Sequence, residues 1–425
     1  MNPKQIVVCI WGLVSAVCPL QAQDFIPLNT TLPSLNQTLN RFTAPGDSLD
    51  MLGFFKKFDQ LTASGKGKMN VVQIGGSHVQ ADMWTGRVRQ HFNTFLNQKE
   101  VERGFMFPYK AVKTNGSIQF DVFYNSVWNG LRNVKLNEPE EMGAMGWSAQ
   151  ATDSGQYIHI KFKEDDYASY VFDYLRIFHK TGAESMSLSV EVDGVIYNLP
   201  PNEGCGCSEL KLPKPVQEFT MKVHKLDSLQ SEFVLYGFQT ELHSPGLVYH
   251  SIGVNGASVP SYLNSLRFEH ELAYIKPDLI VFTIGINDAF SSQFSKESFI
   301  ENYNALIARI KALSPQTTFL FVSNTDSYKT VRRRQYMNKT GDVVRDAMRQ
   351  LAQEHHAMYW DLYSVMGGLG SIGTWKAYGY AQRDLIHLTK KGYDLAGDLF
   401  FSAFLHAYDW YLEHPLSQLS RSQYE

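Results

Sequence analysis

The chain has 425 residues, 44% hydrophobic and 13% aromatic, enough for a large core with room for two domains. A formal charge of −3 leaves no polybasic footprint, which argues against a nucleic-acid partner. The first residues, MNPKQIVVCIWGLVSAVCPLQAQDF, combine one lysine, an apolar run from Ile6 to Val17 and small or polar residues around Ala22. That is the pattern of a cleaved export signal over 1–22, and the run is short for a membrane span. A periplasmic or secreted protein is expected, with no stable membrane span after cleavage. Cys18 follows Val17, where acylation favours a small residue, so lipoprotein anchoring is not expected.

Residues 23–49 lack strong periodicity and read as an extended lead-in. DMLGFFKKFDQL, from Asp50 to Leu61, has helical spacing, and MNVVQI reads as a buried strand. Two glycines and Ser77 follow, then an amphipathic pattern that predicts a helix up to about Phe95. Helix, strand, glycine turn and helix begin an α/β unit over 50–102.

From 103 to 245 the character changes. SIQFDVFYNSV, QYIHIKF, YVFDYLRIFHK, SMSLSVEVDGVIYNL, QEFTMKVHKL and SEFVLYGFQTEL alternate apolar with polar residues between Gly, Asn and Asp turns. They predict an all-β sandwich inserted into the α/β domain. Within it, NEGCGCSEL holds Cys205 and Cys207, which could pair in an oxidising compartment or remain thiols in a loop; the plain loop is the favoured reading. No further Cys or His nearby in sequence completes a metal site there.

The α/β rhythm returns over 246–415, followed by a tail at 416–425. PDLIVFTIG is a continuous apolar run, as a parallel strand covered on both faces requires. SKESFIENYNALIARIKAL is an amphipathic helix capped by Ser295. TTFLFVSN and AMYWDL read as strands, GDVVRDAMRQLAQEHH and KKGYDLAGDLFFSAFLHAYDWYL as helices. His355 and His356 are adjacent, face different directions on a helix and make a poor metal pair. VRRRQ, 331–335, is a short cationic run that reads as a solvated face or a contact for an anionic glycan.

Ser77 stands at the carboxyl end of the first strand, where open α/β sheets place their ligands. It is either a helix N-cap or a nucleophile. A serine nucleophile needs a base held in one tautomer by a third group. AQRDLIHLTKKGY offers Asp384 and His387 three residues apart. Oxyanion donors are available in TIGINDAF, at the Asn287 amide, in YHSIGVNGASVPSY, at the Gly256 N–H, and at the N–H of Ser77 itself.

These four blocks, in this order, resemble those of the SGNH or GDSL hydrolase superfamily. The resemblance implies a three-layer α/β/α fold with a parallel, flavodoxin-like sheet. It also implies Ser77, His387 and Asp384 as nucleophile, base and acid, with Ser77, Gly256 and Asn287 as the oxyanion hole. The Ser-His pair in GGSHVQAD, the strand-rich insertion and the glycine-rich approach to the last block look like exported peptidoglycan O-acetylesterases, in which the insertion resembles a carbohydrate-binding module. That likeness puts His78 in substrate binding and implies an O-acetylated glycan or peptidoglycan partner, with no cofactor and no metal; Trp375 is a further substrate-binding candidate because an indole can stack on a sugar ring. Gly76 stands where the family usually has aspartate, which loosens the turn before the serine. Trp84, Trp128, Trp147 and Trp375 are expected in the core before the glycan site, because aromatic side chains carry large buried areas. The expected function is an exported esterase removing O-acetyl groups from a polysaccharide. The alternatives are an O-acetyltransferase using the same residues, or a glycan-binding protein with a relic hydrolase site.

Overall fold

The computed structural model describes residues 30–45, 49–163 and 168–413; the expected export signal and the tail at 416–425 lie outside them. Five parallel strands form the central sheet: β1 Lys68–Gly75, β2 Gly246–Gly253, β3 Leu279–Thr283, β4 Thr318–Val322 and β5 Met358–Trp360. Their order is β2-β1-β3-β4-β5. In register, Gly75 lies opposite both Gly253 and Thr283, so the three strands end level. The chain winds one way from β1 to β2 and the other way from β3 onward. A crevice therefore opens at the carboxyl ends of β1 and β3, the switch point of this topology.

The strands are apolar on both faces because helices cover both. On one side Leu49–Ser64, Met83–Phe95 and the long Lys390–Glu413 helix bury an aromatic cluster. Phe58 and Phe92 each meet Phe404 edge-on, at 5.0 and 4.8 Å between ring centroids. On the other side Lys296–Leu313 and Thr340–Glu354 pack against Phe282 and Phe321 of β3 and β4. Ser295 caps the first of these, its Oγ accepting the Ser298 N–H at 3.2 Å. The lead-in is tied to the sheet: Thr43 bridges Tyr359, and the Asn40 amide bonds the Leu399 carbonyl and the Trp360 indole.

Between β1 and β2 the chain builds two antiparallel sheets. One runs in the order Val195–Leu199, Ser187–Val192, Glu218–His224, Tyr157–Phe162, Phe120–Tyr124. The other follows Cys207–Val216, Phe172–His179, Phe233–Glu241, Trp147–Ala151, Asn129–Arg132, with Gly104–Met106 paired to Phe233–Glu241. Phe219 joins them, 5.6 Å from Phe172 and 5.2 Å from Phe238. Four of these strands have no clear signature in sequence. Asn129–Arg132 has almost no buried side chain, and Cys207–Val216 contains proline, tolerated because it is an edge strand. The Cys205–Cys207 loop before it is closed by a disulfide, so the plain-loop expectation is corrected.

The inserted sheets share one continuous hydrophobic core with the β3–β4 side of the central sheet. Polar contacts also cross: the Phe105 N–H donates to His250 Nδ1 at 3.0 Å, and Tyr109 donates to the Gly253 carbonyl at 3.0 Å. Among the described residues no helix is long and apolar enough to cross a membrane.

Candidate active site

β1 ends at Gly75, and Gly76 is the N-cap of a four-residue helix, Ser77–Gln80. Ser77 is thus the first helical residue, and its hydroxyl is not used as a cap. Its Oγ lies 2.8 Å from His387 Nε2, and His387 Nδ1 lies 2.7 Å from Asp384 Oδ2. With Nδ1 donating to the carboxylate, Nε2 is left to accept the serine proton. Asp384 is held by its own loop: the N–H groups of Ile386 and His387 each donate to Oδ1 at 3.0 Å. Partial burial works against its charge, but the His387 side chain and these two amides outweigh it and keep the carboxyl below its usual range. The acid and base are three residues apart without a helical turn between them. Leu385 has φ 57°, a left-handed conformation rarely tolerated by a branched side chain and found where a site over-determines its backbone.

Ser77, Gly256 and Asn287 come together from three loops and line one open cleft of about 570 Å³. Asn287 follows β3, and its Nδ2 donates to the Ala257 carbonyl at 2.9 Å, leaving its second amide hydrogen for the cleft. Gly256 lines the cleft with φ 86°, a conformation that suits glycine. The Ser77 N–H opens a helix and so has no partner within it.

The Gly76 position is explained by space. A Cβ there would stand 2.9 Å from Asn287 Nδ2 and 3.7 Å from the Ala257 carbonyl. Glycine at 76 thus lets the Asn287 amide lie close against the turn that precedes Ser77.

Two expected substrate contacts do not reach the cleft. Trp375 is fully buried, its indole donating to the Met366 carbonyl at 3.1 Å. His78 is buried behind the base: Nδ1 meets the Tyr393 hydroxyl at 2.9 Å and its ring centroid lies 5.4 Å from that of His387. Burial, with the nearby His387 second, lowers its pKa to about 3 and keeps it neutral. Trp84, Trp128 and Trp147 are buried as well.

Other residues escaped the sequence reading. The predicted helix from Ser77 to Phe95 is broken at Asp82, with φ 58°. This buried carboxylate takes hydrogen bonds from Arg103 at 2.8 Å, Arg89 at 3.1 Å, Ser117 at 2.8 Å and Ser251 at 2.9 Å. Burial opposes its charge, yet Arg103 and Arg89 outweigh that and hold it well below the usual carboxylate range. Before the break, Gln80 faces the second loop. Its Oε1 accepts the Asn255 N–H at 2.7 Å and its Nε2 donates to the Asn115 carbonyl at 2.6 Å. Arg132 of the insertion donates to the Asn255 carbonyl at 3.2 Å. The loop bearing Gly256 is therefore braced from the nucleophile helix and from the insertion together.

Residues 231–395 match the family model of the GDSL-like lipase/acylhydrolases. This stretch resembles a GDSL-like hydrolase domain. It contains Gly256, Asn287, Asp384 and His387, and Ser77 precedes it because the inserted sandwich separates β1 from the rest. The whole fold is similar to that of a solved peptidoglycan O-acetylesterase, at 20% identity and a TM-score of 0.71, over 90% of this chain and 99% of that one. An acetyl xylan esterase is similar over 37% of this chain and 81% of its own, at 19% identity and a TM-score of 0.31. A GDSL-like lipase from Bacteroides thetaiotaomicron is similar over 36% and 72%, at 18% identity and a TM-score of 0.28. A search of curated proteins gives no match.

Proposed function

We propose that the protein is an exported serine esterase that removes O-acetyl groups from peptidoglycan or a related polysaccharide. The observation that carries this reading is the hydrogen-bonded relay Ser77–His387–Asp384 opening onto a cleft shared with Gly256 and Asn287. In the proposed reaction Ser77 Oγ attacks the acetyl carbonyl while His387 Nε2 takes its proton. The Asn287 amide and the Gly256 and Ser77 N–H groups receive the tetrahedral oxyanion. His387 returns the proton to the departing sugar oxygen, freeing the hydroxyl and leaving acetyl-Ser77. Water then attacks that ester, gives its proton to His387, and acetate leaves as Ser77 is reprotonated. The Cys205–Cys207 disulfide supports an oxidising compartment, in line with the export signal expected over 1–22.

The test is acetate release from O-acetylated peptidoglycan by the mature protein, beside Ser77→Ala and a small aryl acetate. Release from both substrates that is lost in Ser77→Ala is expected. Turnover of the aryl ester alone would discard the cell-wall substrate. Acetyl transfer to a glycan hydroxyl in preference to water would replace the hydrolase by a transferase.

A further inference from the structure

Residues 328–337 form a hairpin, Tyr328–Val331 against Arg334–Met337, closed by the two-residue turn Arg332–Arg333. Both turn residues have positive φ, 48° and 67°, the conformation for which hairpins favour Asn-Gly. Two arginines there, followed by Arg334, are costly on backbone and charge grounds alike, and all three are exposed. Among the described residues none of the three, nor the neighbouring exposed Arg383, makes an ion pair. Sequence chosen against local preference at an exposed tip points to what the side chains bind.

The hairpin is tied to the catalytic loop. The Tyr328 N–H donates to the Leu385 carbonyl at 2.9 Å and the Gln335 amide donates to the Arg383 carbonyl at 3.1 Å, on either side of Asp384. Register puts Thr330 on the same face as Gln335, towards that loop. The opposite face carries Lys329 paired with Tyr336 and Val331 paired with Arg334. Lys329 Nζ stands 6.0 Å from the centre of the Phe290 ring, and Phe290 lines the cleft. On this face Lys329 stands opposite the exposed Tyr336, and Arg334 is one pair nearer the turn.

We propose that this hairpin is a binding subsite for a carboxylate-bearing glycan strand: Arg332, Arg333 and Arg334 hold carboxylates beyond the sugar whose acetyl group reaches Ser77, and Tyr336 offers a face to a sugar ring. Guanidinium groups suit the task because they pair with carboxylates through two parallel hydrogen bonds. The inference rests on the esterase reading for where the acetyl group lies; the binding itself does not depend on hydrolysis.

The test compares Ser77→Ala with Ser77→Ala carrying Arg332→Asn, Arg333→Gly and Arg334→Gln, a turn sequence that favours the same hairpin. In affinity electrophoresis, gels containing polygalacturonate should retard the first protein about tenfold more strongly than the second, as three exposed ion pairs would predict, and dextran should retard neither. With Ser77 intact, the triple substitution should raise KM for O-acetylated peptidoglycan strands about tenfold and leave aryl acetate turnover unchanged. Equal retardation by polygalacturonate, or a parallel loss of aryl acetate turnover, overturns the subsite. Failure of the wild type to hydrolyse any ester overturns the esterase reading, and the electrophoresis still decides the subsite.

Discussion

Gln80 Oε1 accepts the Asn255 N–H at 2.7 Å, joining the helix that starts at Ser77 to the loop that presents Gly256. A nucleophile and an oxyanion donor on separate loops must be held to a fraction of an ångström, and this buried amide spans the gap. Gln80→Leu removes the acceptor and leaves the Asn255 N–H without its partner. We expect kcat to fall by roughly tenfold with little change in KM, because the developing oxyanion suffers more than the bound ester. Steady-state kinetics on an aryl acetate measure this, and a rise in KM at constant kcat would point to substrate binding instead.

The relay makes unequal predictions for its members. Ser77→Ala and His387→Ala should each lower kcat by about a millionfold, since one group is useless without the other. Asp384→Asn keeps a side chain that can accept the Ile386 and His387 amides but presents the wrong partner to Nδ1, so measurable residual turnover about four powers of ten below wild type is expected. Thermal unfolding run alongside should show all three folded. Asp384→Asn activity close to wild type would remove the acid from the relay.

At Gly76 the expectation runs against family habit. Asn287→Ala should lower kcat by two to three powers of ten, the usual loss for one oxyanion donor. Gly76→Asp, although it installs the residue more common in the family, should also lower kcat, because a Cβ at 76 would crowd Asn287 Nδ2 at 2.9 Å. Equal or higher kcat in Gly76→Asp refutes the steric account.

Much of the layout is legible in the sequence because it rests on local signals. The apolar run LIVFT announces a covered parallel strand, and the motif blocks single out Ser77, Gly256, Asn287 and His387, which line one cleft, with Asp384 hydrogen-bonded to His387. What is not legible depends on contacts distant in sequence. The break at Asp82 has no local signature; it follows from Arg103, Ser117 and Ser251 converging on one buried carboxylate. Gln80 reads as one more polar residue on a helix face until Asn115 and Asn255 are placed beside it. Trp375, a candidate for stacking on a sugar, and His78, placed in the pocket by the likeness, are claimed instead by buried hydrogen bonds to Met366 and Tyr393. The strand Cys207–Val216 hides behind its prolines, and the Cys205–Cys207 pairing was one of two open readings.

His78 gives the pH prediction. Its pKa falls from 6.5 to about 3 in the folded protein, mainly through burial, so the unfolded chain binds a proton between these values and the native state does not. Its contribution to stability is therefore complete above pH 6.5 and is lost as pH falls towards 3, by about 1.4 kcal/mol per pH unit. His78→Gln keeps a polar partner for Tyr393 but no longer titrates. We expect the substitution to lower the unfolding temperature at pH 7.5 and to narrow that deficit steadily as the pH is taken down through 6 to 4. The other buried histidines act equally in both proteins and cancel in the difference. A deficit that stays constant over this range would mean that His78 is protonated in the native state, and with it the Tyr393 contact would have to be redrawn with His78 as the donor at both ring nitrogens.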